Sequence, residues 1–131
     1  MWRPIVNLAG VSAALVALTM IASPALAEDR EVMGEELETL LSGNSIDGVW
    51  GQGHYVQHFQ ENGRTVYIAD GRAPDWGTWR ISSAGRYCSV WRGGGESCYP
   101  VIERDGVLHW LVESTGVAEP FTVVEGNITL Q

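Results

Sequence analysis

The sequence predicts a mainly β fold: a small antiparallel up-and-down barrel or curved half-barrel of about eight short strands, with one N-terminal helix and one disulfide. Three observations carry that expectation. After Gly43 the apolar period falls from about 3.6 to 2, and short β-rich runs alternate with Gly, Asn and Asp turns about every 8 to 12 residues. None of the links between these runs offers the crossover helix that a parallel sheet requires. The chain holds two cysteines, Cys88 and Cys98, in neighbouring runs joined by a Gly-rich turn.

The first element is a leader. Met1-Trp2-Arg3-Pro4 supplies a basic start, Ile5 to Ile21 is mainly apolar, and Ala25-Leu26-Ala27 forms a small-residue cleavage motif directly before Glu28-Asp29. A retained membrane anchor is the rival reading, but Asn7, Gly10, Ser12 and Thr19 dilute the apolar run. Cleavage after Ala27 is expected, which divides the chain into a signal peptide, 1–27, and a single β domain, 28–131. No cysteine lies near the junction to accept a lipid, so no membrane anchor is expected after cleavage. The expected destination is the periplasm of a Gram-negative bacterium, or secretion beyond it.

A helix is expected from Asp29 to Ser42. Met33, Leu37, Leu40 and Leu41 fall on one stripe, Glu35, Glu36 and Glu38 turn away, Asp29 can cap the start and Gly43 can stop the end. So short a helix is marginal alone, and Gly34 weakens it further, so it must dock as a lid or plug on the sheet.

Strands are expected near 46–50, 53–60, 64–70, 76–82, 86–91, 97–103, 107–113 and 120–124. Three turns set their register. A two-residue type I′ turn at Asn62-Gly63 would place Phe59 opposite Val66, Gln57 opposite Ile68 and Tyr55 opposite Asp70. His58 would then face Tyr67 and Val56 would face Ala69 on the other side. A three-residue loop Arg92-Gly93-Gly94, with Gly94 left-handed, would set Cys88 against Cys98 and Tyr87 against Tyr99. Closing this eleven-residue ring is worth about 2.7 kcal/mol. Asp105-Gly106 makes a third hairpin that pairs Val101 with Trp110.

Composition narrows the partners. The chain carries eight Lys plus Arg, all of them Arg, against sixteen acids. Losing Arg3 with the leader leaves seven arginines against sixteen acids, a formal charge of −9. An acidic protein of this kind is a poor partner for nucleic acid or anionic lipid, and suits a basic protein or a cation. The absence of lysine fits a GC-rich genome and carries no mechanism.

No catalytic, cofactor or metal site is expected. His54 and His58 project to one strand face but are about 13 Å apart at that spacing, too far to share a metal ion, and His109 is distant in sequence. The serines lack an activating motif, the cysteines pair with each other, and Asp70 and Asp75 sit in ordinary turn chemistry. The aromatic residues are the anomaly: Trp50, Trp76, Trp79, Trp91 and Trp110 with Tyr55, Tyr67, Tyr87 and Tyr99. Most are expected to build the core, and one or two to line a ligand mouth or anchor a partner. Trp76, beside the loop Gly71-Arg72-Ala73-Pro74-Asp75, is expected to be exposed. His58, Tyr67 and Trp76 form the candidate surface for a ligand or partner.

Several short motifs occur in a distinctive order: Leu41-Ser42-Gly43-Asn44-Ser45-Ile46-Asp47-Gly48, the run Tyr55 to Gly63, Gly77-Thr78-Trp79-Arg80-Ile81, Tyr87-Cys88-Ser89-Val90-Trp91 and Ser97-Cys98-Tyr99. In these the chain resembles a family of short exported proteins of uncharacterised function found mainly in alphaproteobacteria. The resemblance implies export, a small β fold and paired cysteines, and brings no activity with it. Gly48-Val49-Trp50 also resembles the opening of lipocalin barrels. The expected function is an exported, non-enzymatic binding or interaction module whose partner is a basic protein or a small apolar ligand. The alternative is a proteinaceous inhibitor of a secreted hydrolase such as a basic lysozyme.

Overall fold

A computed structural model describes residues 2, 4, 10, 12–23 and 28–130. The expected cleavage motif at residues 25–27 lies outside the described residues, as does Arg3. Residues 12–23 have no regular secondary structure, and their apolar side chains stand exposed, Leu15 at 94% and Ile21 at 89%. No helix among the described residues is long and apolar enough to cross a membrane.

The domain follows the alternating pattern of its sequence. Ten strands form one sheet: β1 (Arg30–Val32), β2 (Ser45–Trp50), β3 (Gly53–Phe59), β4 (Arg64–Ala69), β5 (Asp75–Ile81), β6 (Tyr87–Trp91), β7 (Glu96–Tyr99), β8 (Val101–Arg104), β9 (Val107–Val112) and β10 (Val117–Val124). Their order is β1-β8-β9-β10-β2-β3-β4-β5-β6-β7, with antiparallel pairing throughout. The sheet curls into a half-barrel whose concave side holds the core. β7 runs straight into β8 through Pro100, so one extended segment serves β6 with its first half and β9 with its second. Proline has no amide proton to donate to the ladder, and its carbonyl accepts from the Leu111 N–H at 2.9 Å. The single run expected over 97–103 is therefore two strands.

The helix corrects its expectation. α1 spans Gly34–Leu41, and its N-cap is Met33, which makes no side-chain capping bond. Residues 30–32 are instead the edge strand β1, pairing Val32 with Val101. Asp29 does not cap the helix; its carboxylate grips the Arg104 guanidinium at 2.7 Å and 2.8 Å. Gly34 does not interrupt the helix but opens it at φ 62, and its N–H donates to the Gly85 carbonyl at 2.9 Å. Leu37 and Leu41 are fully buried against Phe59, Trp79 and Tyr87, so α1 plugs one end of the half-barrel.

The first hairpin also departs from its expectation. Gln60 N–H donates to the Arg64 carbonyl, and Gly63 takes the left-handed conformation at φ 88, so the loop has three residues, Glu61-Asn62-Gly63. Phe59 lies opposite Thr65, His58 opposite Val66, Gln57 opposite Tyr67, Val56 opposite Ile68 and Tyr55 opposite Ala69. Asn62 satisfies the turn by accepting from the Arg64 N–H with its side chain at 3.0 Å, a job open to it in either loop. A one-residue slip exchanges faces, and it brings Tyr67 to the concave side with Tyr55 and Gln57.

The other two hairpins hold the expected registers. Cys88 pairs with Cys98 and Tyr87 with Tyr99, and the two cysteines form the disulfide. The left-handed residue of that loop is Gly93 (φ 74) rather than Gly94, as a type II turn from Trp91 to Gly94 requires. Asp105 (φ 51) and Gly106 (φ 78) make the type I′ turn that sets Val101 against Trp110.

Candidate functional site

At the end of strands β2–β6 away from α1, the concave face opens into a pocket of about 300 Å³. Its floor is made by Tyr55, Gln57, Tyr87, Ser89 and Trp110, all buried. Its rim is made by Trp50, Tyr67, Asp75, Trp91 and Tyr99. Strand alternation explains the assembly: Tyr55 and Gln57 on β3, Tyr87, Ser89 and Trp91 on β6, and Asp75 on β5 all sit at inward positions.

The rings are fixed by one another and by internal hydrogen bonds. Trp50 meets Tyr99 edge to face at 5.5 Å, bridging β2 and β7 across the curl, and Tyr67 meets Trp91 edge to face at 6.0 Å. Tyr55 stacks on Tyr67 at 4.7 Å, and Tyr87 tilts against Trp110 at 4.6 Å. The Trp110 Nε1–H donates to the Tyr55 hydroxyl at 3.0 Å, and the Trp91 Nε1–H donates to Ser89 Oγ at 3.1 Å. Gln57 donates its amide to Thr65 Oγ1 at 2.9 Å and to the Tyr87 hydroxyl at 3.2 Å. Burial pushes the Tyr55 and Tyr87 hydroxyls above their ordinary pKa values, so both stay protonated across the physiological range.

Gly77 is the residue that allows this geometry. It pairs with Trp91, and a Cβ there would come within 2.5 Å of the Val90 carbonyl oxygen and 2.8 Å of Trp91 Cε3. The indole therefore lies over bare backbone, and any side chain at position 77 displaces it.

The three residues singled out from the sequence do not meet. Tyr67 is on the pocket rim. His58 is on the convex face, buried, with Nδ1 3.1 Å from Ser45 Oγ. Ser45 gives its one proton to the Gly126 carbonyl at 2.6 Å, so His58 Nδ1 is the donor in their contact. Ser45 Oγ also accepts from the Ile128 N–H, tying the C-terminal segment over β2 and β3. His58 is thus a structural group. Trp76 is 43% exposed on the convex face, with the Arg64 guanidinium 4.6 Å from its ring centroid.

The other histidines are engaged separately. His54 bridges Asp47 and Asp70 with its two ring nitrogens, each at 2.8 Å, and the two carboxylates raise its pKa above 6.5. His109 Nδ1 donates to the Val107 carbonyl at 2.9 Å. Among the described residues, the one grouping with metal-ligand geometry is Cys88, Glu96 and Cys98, and its two sulfurs are joined in the disulfide.

Sequence reasoning reached Tyr67 and missed the rest of the pocket as a site. The three-residue register of the Glu61-Asn62-Gly63 loop gathers Tyr55, Gln57 and Tyr67 on one face, and the Asn62-Gly63 pair by itself does not select that register over the two-residue one. No family model, curated protein or solved structure matches the chain.

Proposed function

We propose that this chain is an exported binding module that holds a small molecule in the aromatic pocket and does not transform it. One observation carries the reading: seven aromatic side chains converge on a cavity of about 300 Å³ that is open at one end of the half-barrel while α1 fills the other. Its volume falls at the lower limit of small-molecule sites, which are concave, mostly apolar and furnished with a few polar groups. The rings are already locked in place, so little order is lost on binding. Export is supported by the leader pattern and by the disulfide, a bond that persists in oxidising compartments.

The test is mass spectrometry of the protein recovered from the periplasm, first under native and then under denaturing conditions, without reductant. The expected result is a chain starting at Glu28, two hydrogens light, with an additional small species that leaves on denaturation and has not been chemically altered. A bare oxidised chain that binds none of a broad set of small compounds would contradict the reading.

A further inference from the structure

We propose that the pocket takes a small organic cation, an alkylated or quaternary ammonium head group, with the Asp75 carboxylate as its counter-ion at the mouth. The inference deepens the binding reading and rests on it.

Charge is the first argument. The pocket lining contains no Lys, Arg or His, and its one charged group is Asp75. Eight of the other fifteen side-chain carboxylates are matched: Arg30 holds Glu36 and Glu103, Arg80 holds Glu96, Arg86 holds Glu31 and Glu113, Arg104 holds Asp29, and His54 holds Asp47 and Asp70. Asp75 takes part in none of these pairs, although it stands on β5 opposite Tyr67 and faces the rings. The formal charge of −8 over the whole chain draws cations from a distance.

Ring geometry is the second. The Trp50–Tyr99 planes cross at 80° and the Tyr67–Trp91 planes at 72°. A ligand between such walls meets π faces from several directions, which suits a compact cation, attracted to a ring face within about 6 Å of its centroid. A flat neutral ligand gains most from parallel walls, and the parallel pair here, Tyr55 on Tyr67, is already stacked on itself.

Hydrogen bonding is the third. The indole N–H groups of Trp91 and Trp110 and the Gln57 amide N–H all donate within the protein. Gln57 Oε1 makes no hydrogen bond among the described residues, so it joins the Asp75 carboxylate as an acceptor open to a positively charged ligand, beside hydroxyls that can donate or accept. A space of about 300 Å³ corresponds to about ten water molecules, enough for a head group and a short substituent.

Choline and 3,3-dimethylbutan-1-ol, which has the same shape without the charge, serve as probes, followed by calorimetry and by the tryptophan fluorescence of the exported protein. Choline is expected to bind at least about tenfold tighter than the alcohol. Asp75→Asn is expected to weaken choline about five- to tenfold, leave the alcohol unchanged and leave the melting temperature unchanged, since the Asp75 carboxylate makes no hydrogen bond or ion pair among the described residues and its backbone pairing with Tyr67 is kept. Equal binding of the two probes, or choline binding indifferent to Asp75→Asn, would overturn the cation inference and leave the binding reading standing. If choline, the alcohol and indole all fail to bind, the binding reading itself fails.

Discussion

His54 illustrates how single side chains are placed here. It lies on β3, and Asp47 on β2 and Asp70 just after β4 take one ring nitrogen each, so one imidazole ties three chain segments together. Both nitrogens are donors only in the imidazolium, and the Asp70 and then the Asp47 hydrogen bonds hold the pKa above 6.5. A pKa raised on folding contributes stability in full below the unfolded value, and that contribution is lost as the pH rises through the folded value. The group is solvent-exposed, so the effect on stability is small and the titration is the cleaner readout. NMR titration of the ring protons is expected to place the midpoint of His54 above 6.5, and Asp70→Asn is expected to bring it down. A midpoint unmoved by that substitution would remove the bridge. The same scale holds the clearest miss of sequence reasoning. His58 reads as a candidate surface group, but its partner Ser45 is thirteen residues away, and the C-terminal segment that covers both arrives from the far end of the chain.

Among the elements, β7 is the most dependent on covalent help. It is four residues long, it pairs on one side with β6, and it carries Tyr99 into the pocket wall. The Cys88–Cys98 bridge pins it from the convex face. Replacing both cysteines by alanine is expected to cost about 2.7 kcal/mol, which lowers the melting temperature of a domain of this size by about 10 to 20 °C. Calorimetric melting checks it, and an unchanged melting temperature would show that the bridge does not stabilise the fold. Element existence was largely legible: seven of the strands stand close to their expected positions, because period-2 alternation and Gly-containing turns are local signals. What was illegible depends on partners far along the chain. β1 is three residues long and too short to display a period; only its pairing with β8 makes it a strand and takes Asp29 away from the helix. The Asn62-Gly63 pair suits a two-residue turn as well as a three-residue one, and the choice between them decides which face Tyr67 occupies.

The whole molecule is a curled sheet with α1 in one end and an aromatic pocket in the other. Between them runs a continuous set of ring contacts, from Trp79 to Phe59, from Phe59 to Tyr87, and from Tyr87 to Trp110, which stacks on Phe121 at 4.7 Å. The floor of the pocket is therefore also the core, which makes it rigid and preformed. The abundance of aromatic residues is visible in the sequence. Their convergence is not, since Trp50 meets Tyr99 only because the sheet bends enough to bring β2 to β7.

The central claim, that this pocket binds a small molecule, is tested most directly by following the indole N–H signals in ¹⁵N-labelled exported protein during titration with choline and with small apolar compounds. Trp50, Trp91 and Trp110 line the pocket, whereas Trp79 packs beside α1 and Trp76 lies on the convex face, so two tryptophans act as internal controls. Saturable shifts of the first three with the other two unmoved are the expected result. Signals that all stay fixed, or movement of Trp76 and Trp79 alone, would contradict the account.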